Sequence, residues 1–555
     1  MKRTEREIMD IILEGRGILR SEQETFLNPD FVTGVHDPAL MKGMKIATDR
    51  LALAIRRKEK IAIFGDYDAD GVPATALLVR AFARLGVEVT ALIPTRADGY
   101  GLTMSAADTI KNLGIQVLIT VDNGTVSGTE IEYLLQSGIE TIVCDHHEPQ
   151  VGHIAEKALA ILNPKQDDCP YPFKGLCGCA IAWKLACSLY SHLGVSSNSL
   201  KWELDLVALS TIADMVPLLG ENRVLARYGT TVFRKSRNYG LQALASQANL
   251  QISDISAGGI SFGLAPRINA PSRMHSETIE GVNASLQLLV TNDKKEAARL
   301  AAYLDDQNKQ RQLLLEQHLE EARAQAEMYK EDCCLVLYTA SWSTGVIGLL
   351  AGRLMEQYKR PVVILANEEL LIKGSVRSVD GVDSVEMITA GAQLLLRFGG
   401  HTKAAGLTFS QNSEDDVREF RRRINGWLQQ QGHTVASLQV SSRKKSELEL
   451  DLGEITLSLV MQLQKLEPFG IGFPAPLFNT ICNVSQVRRV GATNQHLACF
   501  LKKDGVECKA IGFQLGDTQV DEKEIYDVYI NPQEEVWQSK RSVSCHIRSI
   551  TPVNV

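Results

Sequence analysis

Residues 61–78 read IAIFGDYDADGVPATALL: an apolar run, then Asp66, Asp68 and Asp70 on alternate positions, then Gly71 and a helix-forming stretch. The D-x-D-x-D-G spacing is how an EF-hand loop begins. Such a loop needs a preceding helix and a bidentate glutamate at position twelve. Position twelve from Asp66 is Leu77, and IAIF is a strand pattern. The calcium reading fails on both counts, leaving a strand that ends in acids and turns into a helix.

The same alternation continues from Lys60 to Pro149. IAIF, EVTALIP, QVLITVD and ETIVCDHH read as strands, with helices through VPATALLVRAFARLG and near Ser105–Leu113 and Glu130–Gly138. Short continuous apolar strands joined by helix-length connections predict an α/β domain with a doubly wound parallel sheet, both faces covered. In such sheets functional groups collect at the carboxyl ends of the strands. Asp122 ends the third strand, Asp145, His146 and His147 end the fourth, and Asp214 lies in the apolar segment LVALSTIADMVPL. A lone aspartate at a strand end is usually a cap. Several converging carboxylates cannot all stay ionised unless cations neutralise them. Oxygen and imidazole donors without thiolate favour Mn²⁺ or Mg²⁺ over Zn²⁺. A set of up to about seven donors exceeds what one ion needs and suits two-ion phosphoester hydrolysis.

The full chain of 555 residues has room for three or four domains. With 45% hydrophobic and 23% charged residues it has the composition of an ordinary soluble globular protein. MKRTEREIMD has no signal-peptide pattern, and no run is long enough to span a membrane. Eleven cysteines, an odd number without a CxxC pair, point to reduced, mostly buried thiols and a cytoplasmic protein. The net charge of −7 excludes a globally basic nucleic-acid binder but not a local basic groove.

Four units are expected: a catalytic domain with an N-terminal extension (1–290), a connecting helix (291–331), a second α/β domain (332–435) and a β-rich, OB-like domain (445–555). The helix follows from a stretch near 293–330 without Gly or Pro, whose partial apolar seam is interrupted by Asn308 and Arg311. Its expected role is a strut between domains, with a free coiled coil as the weaker reading. The last unit follows from NVSQVRRVG, HLACFLKKDG, VECKAIGFQ, IYDVYINPQ and VSCHIRSITPV, short strands separated by turns.

DYDADG, VDNG, DHHE and STIADMVP, in this order, resemble the four motifs of the DHH phosphoesterase superfamily, and GGHTKAAGL resembles the core of its companion DHHA1 domain. FLNPDFVTGVHDP, IPTRADGYGL, YPFKGLCG, PRINAPSRM and LEPFGIGFPAPLF extend the similarity to the superfamily's single-strand-specific DNA exonucleases over nearly the full length. The resemblance implies 5′→3′ degradation of single-stranded DNA in repair and recombination, with a helicase and a single-strand-binding protein as candidate partners. Asp68, Asp70, Asp122, His146, His147 and Asp214 match the catalytic metal ligands, and Asp66 joins them as a further ligand. Arg96, Arg267 and Arg273 match phosphate-holding positions, and Asn269 matches a motif position. Ser375, Arg377 and His401 match an end-recognition pocket, while Arg488, Arg489, Lys502, Lys503 and Lys509 are candidate backbone contacts on the OB-like region.

The chain departs from the family pattern at Pro73, Pro271, Ser272, Ser343 and Phe473, yet keeps every motif acid and histidine. Two other readings compete. A DHH phosphodiesterase on short oligonucleotides or cyclic dinucleotides generally has a histidine-led first motif and no OB-like region. A non-catalytic DNA-binding replication scaffold on the same fold tends to lose metal ligands. DYDADG and residues 445–555 argue against the first, and the intact metal-ligand set argues against the second.

Overall fold

Strands β1 (Ile61–Gly65), β2 (Thr90–Leu92), β3 (Val117–Val121), β4 (Glu140–Cys144) and β5 (Ala160–Leu162) form one sheet of order β2-β1-β3-β4-β5. Every pairing in it is parallel. The computed structural model describes residues 2–553 except 100, 151, 275–278, 412, 442–444, 492 and 538–539. The period-two alternation of the strands feeds two cores. Ile61, Ile63, Ile119 and Ile142 face the helices Gly71–Arg84 and Gly178–His192, whereas Ala62, Phe64, Leu118 and Val143 face Met104–Asn112 and Gly128–Gln136. This is the doubly wound arrangement expected from the sequence. The chain order reverses between β1 and β3, so the loops after these strands diverge and open a crevice at their carboxyl ends.

The second sheet holds β6 (Leu335–Tyr338), β7 (Val362–Glu368), β8 (Leu371–Arg377), β9 (Leu395–His401) and β10 (Ala404–Phe409), in the order β6-β7-β8-β10-β9. Only β6–β7 is parallel. In the third, β12 (Phe478–Val490), β13 (His496–Lys503), β14 (Val506–Gly512), β15 (Ile525–Trp537) and β16 (Lys540–Pro552) close into a five-stranded barrel through the β12–β15 pairing. The short β11 (Leu448–Glu449) adds to β12.

The Lys294–Met328 helix, capped by the Asp293 side chain on Lys295 N–H, runs on the order of 50 Å. Ala297, Leu300, Ala301 and Leu304 enter the first domain's core, and Leu315, Leu319, Ala322 and Ala326 enter the second domain's. Both apolar stretches are therefore covered, and the helix is a strut. The N-terminal helix Glu5–Gly15 buries Ile8, Met9, Ile12 and Leu13 in the core of the C-terminal barrel, where Arg3 pairs with Glu454 and Arg16 with Glu447. All eleven cysteines are free, and all but Cys187 are buried. Among the described residues no helix is long and apolar enough to cross a membrane.

Candidate metal centre

The crevice between β1 and β3 collects the acids. The DYDADG turn is closed by its own backbone: Asp68 Oδ1 accepts from Asp70 N–H at 2.8 Å and Gly71 N–H at 3.0 Å. A Cβ at Gly71 would stand 2.5 Å from the Asp66 backbone, so the glycine belongs to this tight return and not to a calcium loop. Asp70 accepts from Gly178 N–H (2.6 Å) and Cys179 N–H (2.8 Å), the first amides of the Gly178–His192 helix, where the helix dipole favours a carboxylate. Asp122 holds a left-handed backbone at φ 63°, an uncommon conformation tolerated best by Asp and Asn outside glycine.

His146 Nε2 lies 3.1 Å from Asp122 Oδ1, 3.5 Å from Asp214 Oδ2 and 3.8 Å from Asp70 Oδ2. Three overlapping sets bring donor atoms within 4.8 Å of one another: Asp122 with His146 and His147, Asp70 with His146 and Asp214, and Asp66 with Asp68 and Asp122. All seven expected ligands are thus in one crevice. Asp66 Oδ1, Asp122 Oδ1 and His146 Nε2 are buried without a hydrogen-bond partner. Buried polar atoms are normally paired, so these orphans fit a cation shared among them.

Electrostatics agree with that donor set. Burial, then the neighbouring Asp68 charge, pushes Asp66 up to about 8 and Asp70 up to about 6. Burial and surrounding aspartates push Asp122 and Asp214 well above the carboxylate range. Burial, helped by His147, lowers His146 to about 3. Burial also works against a charge on His147, but the Asp145 hydrogen bond and the nearby acids raise it to about 9.

Asp145 behaves differently from its neighbours. Burial would raise it, yet the His147 hydrogen bond and charge hold it well below the usual carboxylate range. It accepts from the backbone N–H of Thr125, His146 and His147 and lies 2.7 Å from His147 Nδ1. It orients the ligand loop, and the sequence could not separate that role from ligation in an adjacent acid. Asn163, which donates to Thr125 Oγ1 and His147 O, and the amides of residues 178 and 179 escaped the sequence reading altogether.

Arg96 stacks 4.8 Å over the Tyr67 ring and donates to Ser272 O at 3.2 Å. Its charge acts on Asp66 on one side and on Lys373 of β8 on the other, so it stands where the two domains face each other. Arg273 reaches across to Gly345 O at 3.3 Å. On β8, Arg377 donates to Ser375 Oγ at 3.1 Å, and both side chains pack against Gly348. Ala404 pairs with Arg377 on one side and His401 on the other, which puts His401 in the same row with its side chain exposed. Arg267 is less available: it pairs with Asp305 of the long helix at 2.7 Å and donates to Gly263 O. Asn269 Oδ1 is buried and unpaired.

Of the departures, Phe473 is buried against Phe26 with ring centroids 4.8 Å apart, a packing role. Ser343 donates its N–H to His318 Nε2. On the barrel, Lys502, Lys503 and Lys509 pair with Glu507, Asp451 and Glu535, and Arg489 donates to Thr518 O. Arg488 lines a cavity of about 450 Å³ with Phe500, Phe513 and His546.

Residues 60–211 match the DHH family, N-terminal domain, residues 331–430 the DHHA1 domain, and residues 446–549 the RecJ OB domain. The chain is 35% identical to the single-stranded-DNA-specific exonuclease RecJ of Bacillus subtilis over 87% of its own length, and spans 60% of that protein. It is 32% identical to the protein of the same name from Haemophilus influenzae, covering 93% of this chain and 92% of the relative. The crystal structure of RecJ in complex with Mn²⁺ from Thermus thermophilus superposes with a TM-score of 0.81 at 30% identity, covering 98% of this chain and 76% of that one.

Proposed function

The chain belongs to the RecJ family of single-stranded-DNA-specific exonucleases, and we propose that it degrades single-stranded DNA from the 5′ end by metal-dependent phosphodiester hydrolysis, in repair and recombination. The observation that carries the chemistry is the convergence of seven donor side chains, three with orphaned buried atoms, where the strand order reverses.

Asp66, Asp68, Asp70, Asp122, His146, His147 and Asp214 would hold two Mn²⁺ or Mg²⁺ ions, which when bound supply a deprotonated water and offset the charge of the phosphate. The chain's other groups position and select. Asp145 accepts a hydrogen bond from His147 Nδ1–H, which would leave Nε2 as the ligand atom of that ring. Arg96 and Arg273 place guanidinium forks on the path between the domains, suited to backbone phosphates. Ser375 and Arg377, with His401 in the same row, form the pocket for the strand terminus and so set the polarity. A narrow passage between two domains held by one strut admits a single strand without reading bases.

The barrel guides the incoming strand over Arg488, Phe500 and Phe513, with fewer free cations than the sequence promised. A helicase and a single-strand-binding protein would deliver such a substrate, and the reduced thiols suit the cytoplasm. The test is digestion of single strands labelled at the 5′ or the 3′ end, with Mn²⁺ and with chelator. Release of 5′-label as the earliest product, abolished by chelator, is expected; earliest release from the 3′ end refutes the polarity.

A further inference from the structure

Asn308 and Arg311 stand about one turn apart on the Lys294–Met328 helix, between its two apolar stretches. In the sequence they only interrupt a seam. In the fold, Asn308 is 2% exposed and its Oδ1 has no partner, and Arg311 Nε is buried without one. Two unsatisfied polar groups on adjacent turns are costly unless something pairs with them.

The surrounding charge has one sign. The charges that act on the Arg311 guanidinium are those of Arg353 and Arg267, and Arg311 in turn acts, with Arg96, on Arg273. Asp305, on the same helix, is taken by Arg267 and Lys309. Glu321 accepts from Trp342 Nε1. Five guanidinium groups from five elements therefore act on one another around the long helix, while its Asp305, Asp306 and Glu321 are already engaged. Arg273, which bonds Gly345 O of the second domain at 3.3 Å, feels the charges of both Arg311 and Asp68, which links the long helix to the metal centre.

We propose that Arg311 binds a backbone phosphate of the single strand as it passes between the domains, with Asn308 Oδ1 accepting one guanidinium N–H to hold the fork in place. This rests on the exonuclease reading, and it makes the long helix a wall of the DNA path as well as a strut. Among the available anions a phosphodiester fits best: Arg presents a planar fork to it, and Arg273 feels the charges of both Arg311 and Arg96, the other phosphate candidate between the domains.

The test uses the full chain in chelator, which allows binding without cleavage, and a 5′-phosphorylated oligothymidylate. Arg311→Gln is expected to weaken binding on the order of tenfold, the usual value of a charged hydrogen bond. The slope of log affinity against log salt should fall by about 0.7, one phosphate contact on a single strand. Arg311→Lys should keep the slope. A scan of oligonucleotides carrying one neutral methylphosphonate each separates contact from shape. One position should cost the wild type affinity but leave Arg311→Gln indifferent, a comparison made within one protein and so independent of its stability. An unchanged salt slope, or the same position costing both proteins equally, overturns the proposal while leaving the exonuclease reading intact. Failure of the wild type to cleave end-labelled single strands with Mn²⁺ would overturn that reading, and this proposal with it.

Discussion

Asp122 concentrates the physical demands of the site in one residue: a left-handed backbone, full burial and an unpaired carboxylate oxygen. Asp122→Asn keeps the side chain that tolerates this conformation and removes only the charge. Turnover with Mn²⁺ should fall by at least on the order of a hundredfold. The metal-free protein should melt no lower, because a buried carboxylate pushed well above its usual range has been removed. Near-normal turnover would remove Asp122 from the ligand set. The titrations give a second test. Asp66, up to about 8, and His147, up to about 9, are raised on folding, so each adds stability at low pH and loses it as pH rises through its folded value. His146, lowered to about 3, acts in the opposite sense, but only below its unfolded value near 6.5. Between about pH 6.5 and 9 the chelated protein should therefore melt at progressively lower temperature, and Mn²⁺ should suppress the trend. A flat or rising melting temperature in chelator would contradict the acid cluster. The crevice was legible in the sequence because several acids and two histidines end neighbouring strands together, where a lone aspartate would have read as a cap. Asp145 as an anchor and Arg267 as an ion-pair partner of Asp305 were not, since both roles depend on distance in space.

At the scale of elements, the Gly178–His192 helix holds the site together by aiming its first amides at Asp70. A Cβ at Gly178 would meet Asp122 Cβ at 2.8 Å and Asp70 Oδ2 at 3.1 Å. Gly178→Ala should push the helix back, loosen both amide bonds and raise the Mn²⁺ concentration for half-maximal turnover about 10- to 100-fold, the usual cost of disturbing a ligand's support. An unchanged metal requirement would mean that the helix does not tune Asp70. Strand β8 carries the end-recognition prediction. Arg377→Ala should weaken kcat/KM for 5′-phosphorylated strands by about 1.5–3 kcal/mol and matter much less for 5′-hydroxyl strands. Equal losses on both would show that Arg377 does not read the terminal phosphate. Most elements were readable from local pattern: the five barrel strands as short runs set off by turns, and the 35-residue helix as a long stretch without Gly or Pro. Strand β5 was not: its three residues stand alone, whereas the equally short β2 sits inside the longer run EVTALIP.

The molecule as a whole is tied together by contacts between its two ends, which no local pattern could reveal. The N-terminal helix packs against the Leu457–Gln464 helix in the core shared with the barrel, Arg223 of the first domain donates to Leu466 O, and Leu218 N–H bonds Ile471 O at 2.8 Å. Removing the barrel alone would expose Ile8, Met9, Ile12 and Leu13 to water, at roughly 1.5–3 kcal/mol for each fully buried side chain. A chain spanning residues 20–440 drops the barrel and its N-terminal helix together and keeps both domains that face the metal centre. It should still cleave short oligonucleotides, since Asp66 to Asp214 and Ser375 to His401 are all retained. It should bind long single strands more weakly, because the stacking surface around Phe500 and Phe513 is gone. The loss should grow with strand length, and the salt slope should flatten only modestly, since most barrel lysines already pair with acids. Circular dichroism of the shortened chain checks that it folds; a folded version that binds long strands as tightly as the whole protein would deny the barrel its part in the DNA path.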